Sequence, residues 1–574
     1  MTENITLLHN QALKALNNKK YQQAHGFIMA LLQQDKYFAD GYFLLGVIAC
    51  EHGNNEKGIQ LFEQALKLVD HFEAKSEDNT KESLINQSGN DAAISSPSSV
   101  ASNKIEYLAH LAKAYSLITE PIKAKYYADL TSEQINKQTN DFLNDHNTDK
   151  ISALTFDTLG VAYSKVGLHN QAVPLFKQAI KREDNQAAYY FNLGVSQTFI
   201  GDFLGAKNAH EKVIQLAPLF TKSYTALSAL GKVNTPHYNL ASMELMFNEL
   251  IHPDEKLHIG HAMAREYEAL NDYDKSYEYL SLAKKAKLDS VDYDFADDEA
   301  MFQSLFETYN EITATTLNSN NESNKHNQEA IFIVGMPRTG TTLVERILSQ
   351  HSEVTTAGEL EYFSSLVKKM SETSTQRILD KETIEAAQHI NFEELGKAYI
   401  EKTRVLTGTT AKFIDKMPLN ILYVGFIMQA LPKAKIICLD RNPLDTIMSN
   451  YRQLFSANSY NYNYAYDLKT TTQYYVEFKR LADFWSEKHP NNFYQINYQA
   501  LVNEPEVEAK QLIAFCGLDW QEQCLKINKN AAPVATASAI QVRQPINNKS
   551  IDNWMKYNKY LSEAKEILIN AKLL

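Results

Sequence analysis

An apolar run, Ile331-Phe-Ile-Val334, flows into Gly335-Met-Pro-Arg-Thr-Gly340 and then into Thr341-Thr-Leu343. A hydrophobic stretch, a glycine-bracketed loop and a hydroxyl-rich helix start thus follow one another without a break, and what such a segment can do is hold a phosphate. Gly335 and Gly340 allow the tight turn. Backbone N–H groups at the helix start, together with its positive dipole end, favour an anion. Arg338 supplies charge from inside the loop, and Thr339, Gly340, Thr341 and Thr342 complete its lining. A second anion-binding pattern lies further on. Arg441 is followed by Pro443, suited to begin a helix, and then by Ser449, eight residues after the arginine, so that Arg and Ser can point to one phosphate. A bidentate guanidinium suits a phosphate dianion better than an ammonium does. Alone, Arg441 could equally pair with Asp440 or Asp445.

These groups can act together only if the elements that carry them are neighbours. Residues 331–334 read as a buried parallel strand and 342–350 as an amphipathic helix. Beyond them, 412–415 precedes Lys416-Met-Pro418 and a helix. Likewise 435–439 precedes Asp440-Arg-Asn-Pro443 and another helix, and 493–498 precedes a helix around 505–515. Strands alternating with helices predict a mostly parallel sheet covered on both faces. Each turn then sits at a strand's carboxyl end, where open parallel sheets bind ligands, and Arg338, Lys416 and Arg441 can converge.

At 574 residues the chain is too long for one core, while its 44% hydrophobic and 22% charged content is ordinary for a globular protein. A net charge of −12 gives no reason to expect nucleic-acid affinity. The start, Met1-Thr-Glu-Asn-Ile-Thr-Leu-Leu-His9, has neither the basic flank nor the apolar core of a signal peptide or anchor helix. Cys50, Cys438, Cys516 and Cys524 lack zinc-ligand spacing and read as buried thiols, so the expected location is the cytoplasm. The N-terminal half repeats itself. Leu159-Gly160, Tyr163, Ala172, Phe176 and Ala179 fall where a tetratricopeptide repeat (TPR) needs them, and Leu193-Gly194, Ala206 and Pro218 keep its 34-residue register. Gly46, Phe62 and Ala65 mark an earlier copy, and weaker ones cover 8–35, 109–134 and 262–287. Stacked helix pairs of this kind form an α-solenoid whose surface binds partners. Residues 75–104 have few large apolar side chains and read as a flexible insertion. A second polar tract ends the helical half, dividing the chain into a TPR domain at 1–315, a linker at 316–329 and an α/β domain at 330–574.

The phosphate loop resembles a Walker A motif, with Thr341 in place of the phosphate-binding lysine. Pro337-Arg-Thr-Gly-Thr-Thr342 is closer in kind to the 5′-phosphosulfate loop of sulfotransferases, which use 3′-phosphoadenosine 5′-phosphosulfate (PAPS). In that family the Arg and Ser matched by Arg441 and Ser449 bind the 3′-phosphate. Asp415-Lys416-Met417-Pro418 is similar to the Lys-Asp-Pro element of tyrosylprotein sulfotransferases, and Ser538, Pro545 and Trp554 match their C-terminal spacing. The resemblance spans roughly 330–554 and implies a P-loop-like three-layer domain in which Lys416 and Ser538 are catalytic and no metal is needed. Fusion to tandem repeats looks like bacterial TPR-sulfotransferases. An acceptor hydroxyl requires a base, and Gly358-Glu-Leu-Glu361 offers two carboxylates. Glu359 is the first candidate and Glu361 the alternative. The family's Gly-Glu-Glu-Thr-Arg is altered here, with Leu360 at the register of its basic glutamate and Tyr362 at that of its arginine.

In the mechanism so implied, Lys416 neutralises the leaving phosphate with Ser538 beside it, and Arg338 with the Thr341 and Thr342 hydroxyls holds the 5′-phosphosulfate. Arg543, Asn548 and Lys549 lie where a covering C-terminal loop is expected. Tyr460, Tyr462, Tyr464 and Tyr466 alternate as in a half-buried strand, a packed loop or an aromatic lid. His351 completes no triad or metal site and reads as a residue at a helix C-terminus. The acceptor is a hydroxyl of a peptide tyrosine, a saccharide, a lipid or a small phenol, and the TPR groove is expected to take a peptide or protein ligand. Two other readings remain. One is a kinase or nucleotidase that uses 436–440 as a Walker B strand; the other is a TPR scaffold with a decayed second domain.

Overall fold

Helix starts recur at one interval along the N-terminal half. Ala153, Ala187 and Thr221 each open a helix, 34 residues apart, and His169 and Phe203 open the partner helices with the same spacing. This is the tetratricopeptide period. The computed structural model describes residues 2–83, 97–118, 120–139, 151–231, 240–310, 328–527 and 545–574. The chain divides into two compact units, Met1–Leu216 and Ala217–Leu574.

Within the first unit, helices joined by short turns pair in sequence: Thr2–Asn17 with Tyr21–Gln34, Ala39–Glu51 with Asn55–Ser83, and Pro97–Leu117 with Pro121–Thr139. The Ala153–Lys165 and His169–Arg182 helices, then Ala187–Ile200 and Phe203–Leu216, continue the array. The glycines of the repeat explain how close each pair comes. A Cβ on Gly46 would stand 2.5 Å from the Phe62 ring, and one on Gly160 would stand 2.6 Å from the Phe176 ring. At the same offset Gly194 faces His210, whose ring takes the aromatic seat and whose imidazole burial draws down to about 4. The tract read as a flexible insertion lies outside the described residues at 84–96, and its flanks are helical backbone.

The second unit contains five parallel strands in the order β2-β3-β1-β4-β5: β1 Ala330–Val334, β2 Val354–Thr356, β3 Lys412–Asp415, β4 Lys435–Asp440 and β5 Phe493–Asn497. Strand β2, with only three residues, carries no readable alternation. Side chains alternate across the sheet. Phe332, Val334, Phe413, Ile436 and Cys438 enter one core, and Ile331, Ile333, Ile414, Ile437 and Leu439 enter the other. Helices therefore cover both faces, giving the expected three layers.

Helices preceding the polar tract belong to this same unit. Ala264, Leu280, Met301, Phe302, Leu305 and Tyr309 share a core with β1, β3 and β4. Gly425 lies so close to Tyr309 that a Cβ would stand 2.2 Å from its ring. The compact units thus part at Leu216, well before the tract at 316–329, which lies outside the described residues up to 327. Lys284 illustrates the cost of this packing. It is 1% exposed, donates to the Ala465 carbonyl at 2.7 Å and lies over the rings of Tyr451 and Tyr466. Burial draws its ammonium down to about 7. Between that value and the ordinary lysine range the unfolded chain binds the extra proton, so stability rises with pH from about 7 upward. In thermal melts from neutral to alkaline pH, Lys284→Met should remove an upward slope of at most about 1.4 kcal/mol per pH unit relative to wild type.

Candidate active site

Strand β1 ends at Val334 and the loop 335–340 turns sharply. Gly335, Arg338 and Gly340 have φ of +145°, +67° and +114°. The two glycines take these values without strain, whereas Arg338 is held there by its surroundings. The holding groups come from two other turns and from one helix. Gly335 N donates to the Pro418 carbonyl at 3.1 Å, Asn450 Nδ2 to the Pro337 carbonyl at 2.7 Å, and Arg441 Nη1 to the Arg338 carbonyl at 2.9 Å. Inside the loop, Thr339 Oγ1 bonds the Met336 carbonyl at 2.7 Å. Gly340 precedes the Thr341–Leu348 helix and offers no side chain to cap it. Leu343 N bonds the Gly340 carbonyl at 2.9 Å, and Thr341 and Thr342 are both buried at this helix start, a geometry suited to an anion.

Gly340 is confined on its other side by Tyr498, since a Cβ would fall 2.5 Å from that ring. Gly340→Ala should therefore combine left-handed backbone strain with a ring clash. A loss of about 3 kcal/mol in urea unfolding is expected, part of it restored by also changing Tyr498 to Ala. Unchanged stability in the single variant would contradict this.

Arg441 follows β4, which pairs with β1 through Val334 and Cys438, so the two anion loops are side by side. The guanidinium is 7% exposed, lies 4.7 Å from the Tyr498 ring and donates also to the Ser550 carbonyl. Asp445 is 3.9 Å away. Burial pulls Arg441 below the usual arginine range, while Asp445 and Tyr498 oppose the shift. Its Nε is buried and has no hydrogen-bond partner among the described residues. Pro443 opens the Pro443–Tyr451 helix, capped by Asn442, and Ser449 lies half-buried near its end. Asp445 also receives the backbone N–H groups of Asp552 at 2.8 Å and Trp554 at 3.1 Å, pinning the C-terminal segment beside Arg441.

Lys416 follows β3 on the opposite side of β1 and is 1% exposed. Its ammonium bonds Glu359 and lies 3.8 Å from Glu345, whose other oxygen accepts from Thr356 at 2.6 Å. Of the two carboxylates read from the sequence, Glu359 meets Lys416 with its side chain 40% exposed. Glu361 is an exposed residue preceding the Tyr362–Met370 helix, and Leu360 turns into the core. Next to Lys416, Asp415 is fully buried and accepts from Tyr399 at 2.7 Å and Asn420 at 3.3 Å; burial pushes it up to about 7.

Ser538 and Arg543 lie outside the described residues, whereas Asn548 and Lys549 are exposed. The four alternating tyrosines form a 3-10 helix, Tyr460–Tyr466, rather than a strand. Tyr464 is packed on Tyr474 at 3.9 Å and Tyr462 on Phe455 at 4.2 Å. The carboxylates of Glu359 and Glu361 help to raise the Tyr462 phenol, after burial. His351 is structural, bonding the Asp519 carbonyl at 2.8 Å. Sequence reasoning passed over Asn450, Tyr498 and Glu345, and weighed Asp445 only as an ion-pair partner of Arg441. Asn450 adjoins Ser449 on the same helix, but no periodicity marks any of them.

A phosphate loop, a neighbouring arginine loop and a buried lysine at the carboxyl edge of one parallel sheet place the second unit in a definite class. Residues 330–522 match the model of the sulfotransferase family, and the chain carries a sulfotransferase domain. Among its relatives, an uncharacterized protein of Aquifex aeolicus (strain VF5) is 30% identical over 416 residues, 69% of this chain and 52% of that protein. Protein-tyrosine sulfotransferase A of Caenorhabditis elegans is 23% identical over 236 residues, 39% of this chain and 60% of that protein. The chain spans less than two thirds of either relative. A solved mouse sulfotransferase complexed with PAP is 18% identical, with a TM-score of 0.27 over 48% of this chain and 92% of that one. Among the described residues no helix is long and apolar enough to cross a membrane.

Proposed function

We propose that the chain is a PAPS-dependent sulfotransferase that moves a sulfuryl group to an acceptor hydroxyl, a protein tyrosine foremost. The observation that carries this reading is the bond from the Arg441 guanidinium to the Arg338 carbonyl, which joins two anion loops into one frame. A donor with phosphates at both ends of an adenosine fits that frame. Arg441's buried, unpartnered Nε suits the 3′-phosphate, and the uncapped helix start suits the 5′ end. The bound donor supplies an activated sulfuryl group. Around it, Arg338, Thr339, Gly340, Thr341 and Thr342 hold the 5′-phosphosulfate, and Arg441 with Ser449 orients the other end. Lys416 neutralises charge on the departing phosphate oxygen, a role that Ser538 assists. Glu359 takes the proton of the acceptor hydroxyl; its exposure lets it swing between Lys416 and an incoming substrate.

In this reading the repeats recruit the acceptor or an accessory peptide, and the reaction takes place in the cytoplasm. Incubation with radiolabelled PAPS and a host lysate tests it. Wild type should label a protein band or small product, and Arg338→Ala should lower that labelling by at least about 100-fold. Equal labelling by the two proteins would remove the loop from the mechanism.

A further inference from the structure

Two cations besides the loops, Arg265 and Arg452, act on Arg338, and one comes from a helix that the sheet does not supply. His261, Arg265 and Glu268 lie on one face of the Pro253–Ala269 helix. Glu268 turns that face toward the transferase layers, since its Oε1 accepts from Arg452 Nε at 2.6 Å and from the Tyr557 hydroxyl. Tyr557 is tied in turn to Ser276 of the Tyr273–Leu288 helix at 3.0 Å. Arg452 stands two residues after Asn450, whose side chain grips the Pro337 carbonyl beside Arg338. The hairpin is therefore fastened to the end of the helix whose Asn450 holds the phosphate loop.

Among the described residues, the Arg265 side chain has no hydrogen-bond partner; its attractive interaction is with the charge of Glu268. It is half-buried, and the nearby Glu268 is committed to Arg452 and Tyr557. His261 is 1% exposed with Nε2 lacking a partner among the described residues. Burial and the charges of Lys284, Arg265, His258 and Arg452 hold its imidazole well below its usual range, so it is neutral and offsets none of the positive charge around it. Arg338 itself is drawn down to about 10, first by burial and then by Arg265, ahead of Arg441 and Arg452. Guanidinium groups whose charges bear on one another repel unless an anion lies among them.

We propose that Arg265, delivered by the helical hairpin, grips the sulfuryl end of the donor that Arg338 holds, so that the hairpin completes the transferase site. This rests on the donor reading above. During transfer the acceptor oxygen bonds to sulfur as the bond from sulfur to the phosphate oxygen breaks. The electron pair stays on the phosphate and the acceptor proton passes to Glu359. Arg265 exchanges no proton and donates hydrogen bonds to the sulfonate oxygens, where charge is spread in the transition state.

The test compares two ligands by calorimetry on the full chain, PAPS and adenosine 3′,5′-bisphosphate, which lacks the sulfuryl group. Arg265→Ala should weaken PAPS about 30-fold and the bisphosphate less than about threefold. Arg265→Lys keeps the charge but not the fork, and should fall between; it carries the comparison if the alanine variant does not fold. Equal weakening of both ligands would assign Arg265 to hairpin docking and overturn the proposal, as would unchanged binding of both. Failure of the wild type to bind either ligand would remove the donor reading itself.

Discussion

Arg441→Ala is expected to weaken adenosine 3′,5′-bisphosphate binding by at least about 100-fold, measured by calorimetry. Two losses combine. The variant removes a guanidinium fork suited to a phosphate dianion, and truncating a buried, hydrogen-bonded charge costs about 2–5 kcal/mol. It also frees the Arg338 carbonyl, so the loop at positive φ loses one of its external restraints. Arg441→Lys separates the effects, because an ammonium keeps the charge without the fork. Recovery of most of the affinity by lysine would show that charge alone matters. Wild-type affinity in the alanine variant would disconnect this loop from the ligand.

The second large effect concerns Lys416. Lys416→Met retains the volume of a side chain that is 1% exposed but removes the cation between Glu345 and Glu359. Transfer should fall by about 1,000-fold in kcat, the magnitude of losing one preorganised charge at a leaving group. Bisphosphate binding should stay within about tenfold, because the arginine loops remain. Glu359→Gln should cost about 100- to 1,000-fold as the loss of a general base. Since Lys416 and Glu359 touch, the double variant should be much less impaired than the product of the single ones. Full additivity would argue that the two act in separate steps.

Much of the α/β fold was readable from local pattern. The runs at 331–334, 412–415 and 435–439 are short, apolar and followed by turns, and each became a strand within a residue or so. The helix at Pro505–Phe515 and the helix start at Pro443 were equally plain, because proline at a first turn leaves a local mark. Strand β2 and the 3-10 helix of alternating tyrosines were not. Three residues are too few for a period, and aromatic alternation fits a strand as well as a packed turn. Arg338, Lys416 and Arg441 were expected to converge, and β3, β1 and β4 place their loops side by side. Asn450, Tyr498 and Arg265 left no such trace, because their contacts join segments far apart in the chain.

From its residues alone this chain specified a repeating helical array, a parallel α/β layer and an anion chemistry built on two arginine loops. Period, glycine placement and residue type are local quantities, and they survive whatever the segments later pack against. Tertiary structure alone decided that Glu359 meets Lys416 and that Arg441 holds the Arg338 carbonyl. It also decided that helices read as the end of the repeats share the core of the sheet. Those outcomes depend on which buried surfaces fit together at close packing, a property of pairs of distant segments that no single window of sequence contains.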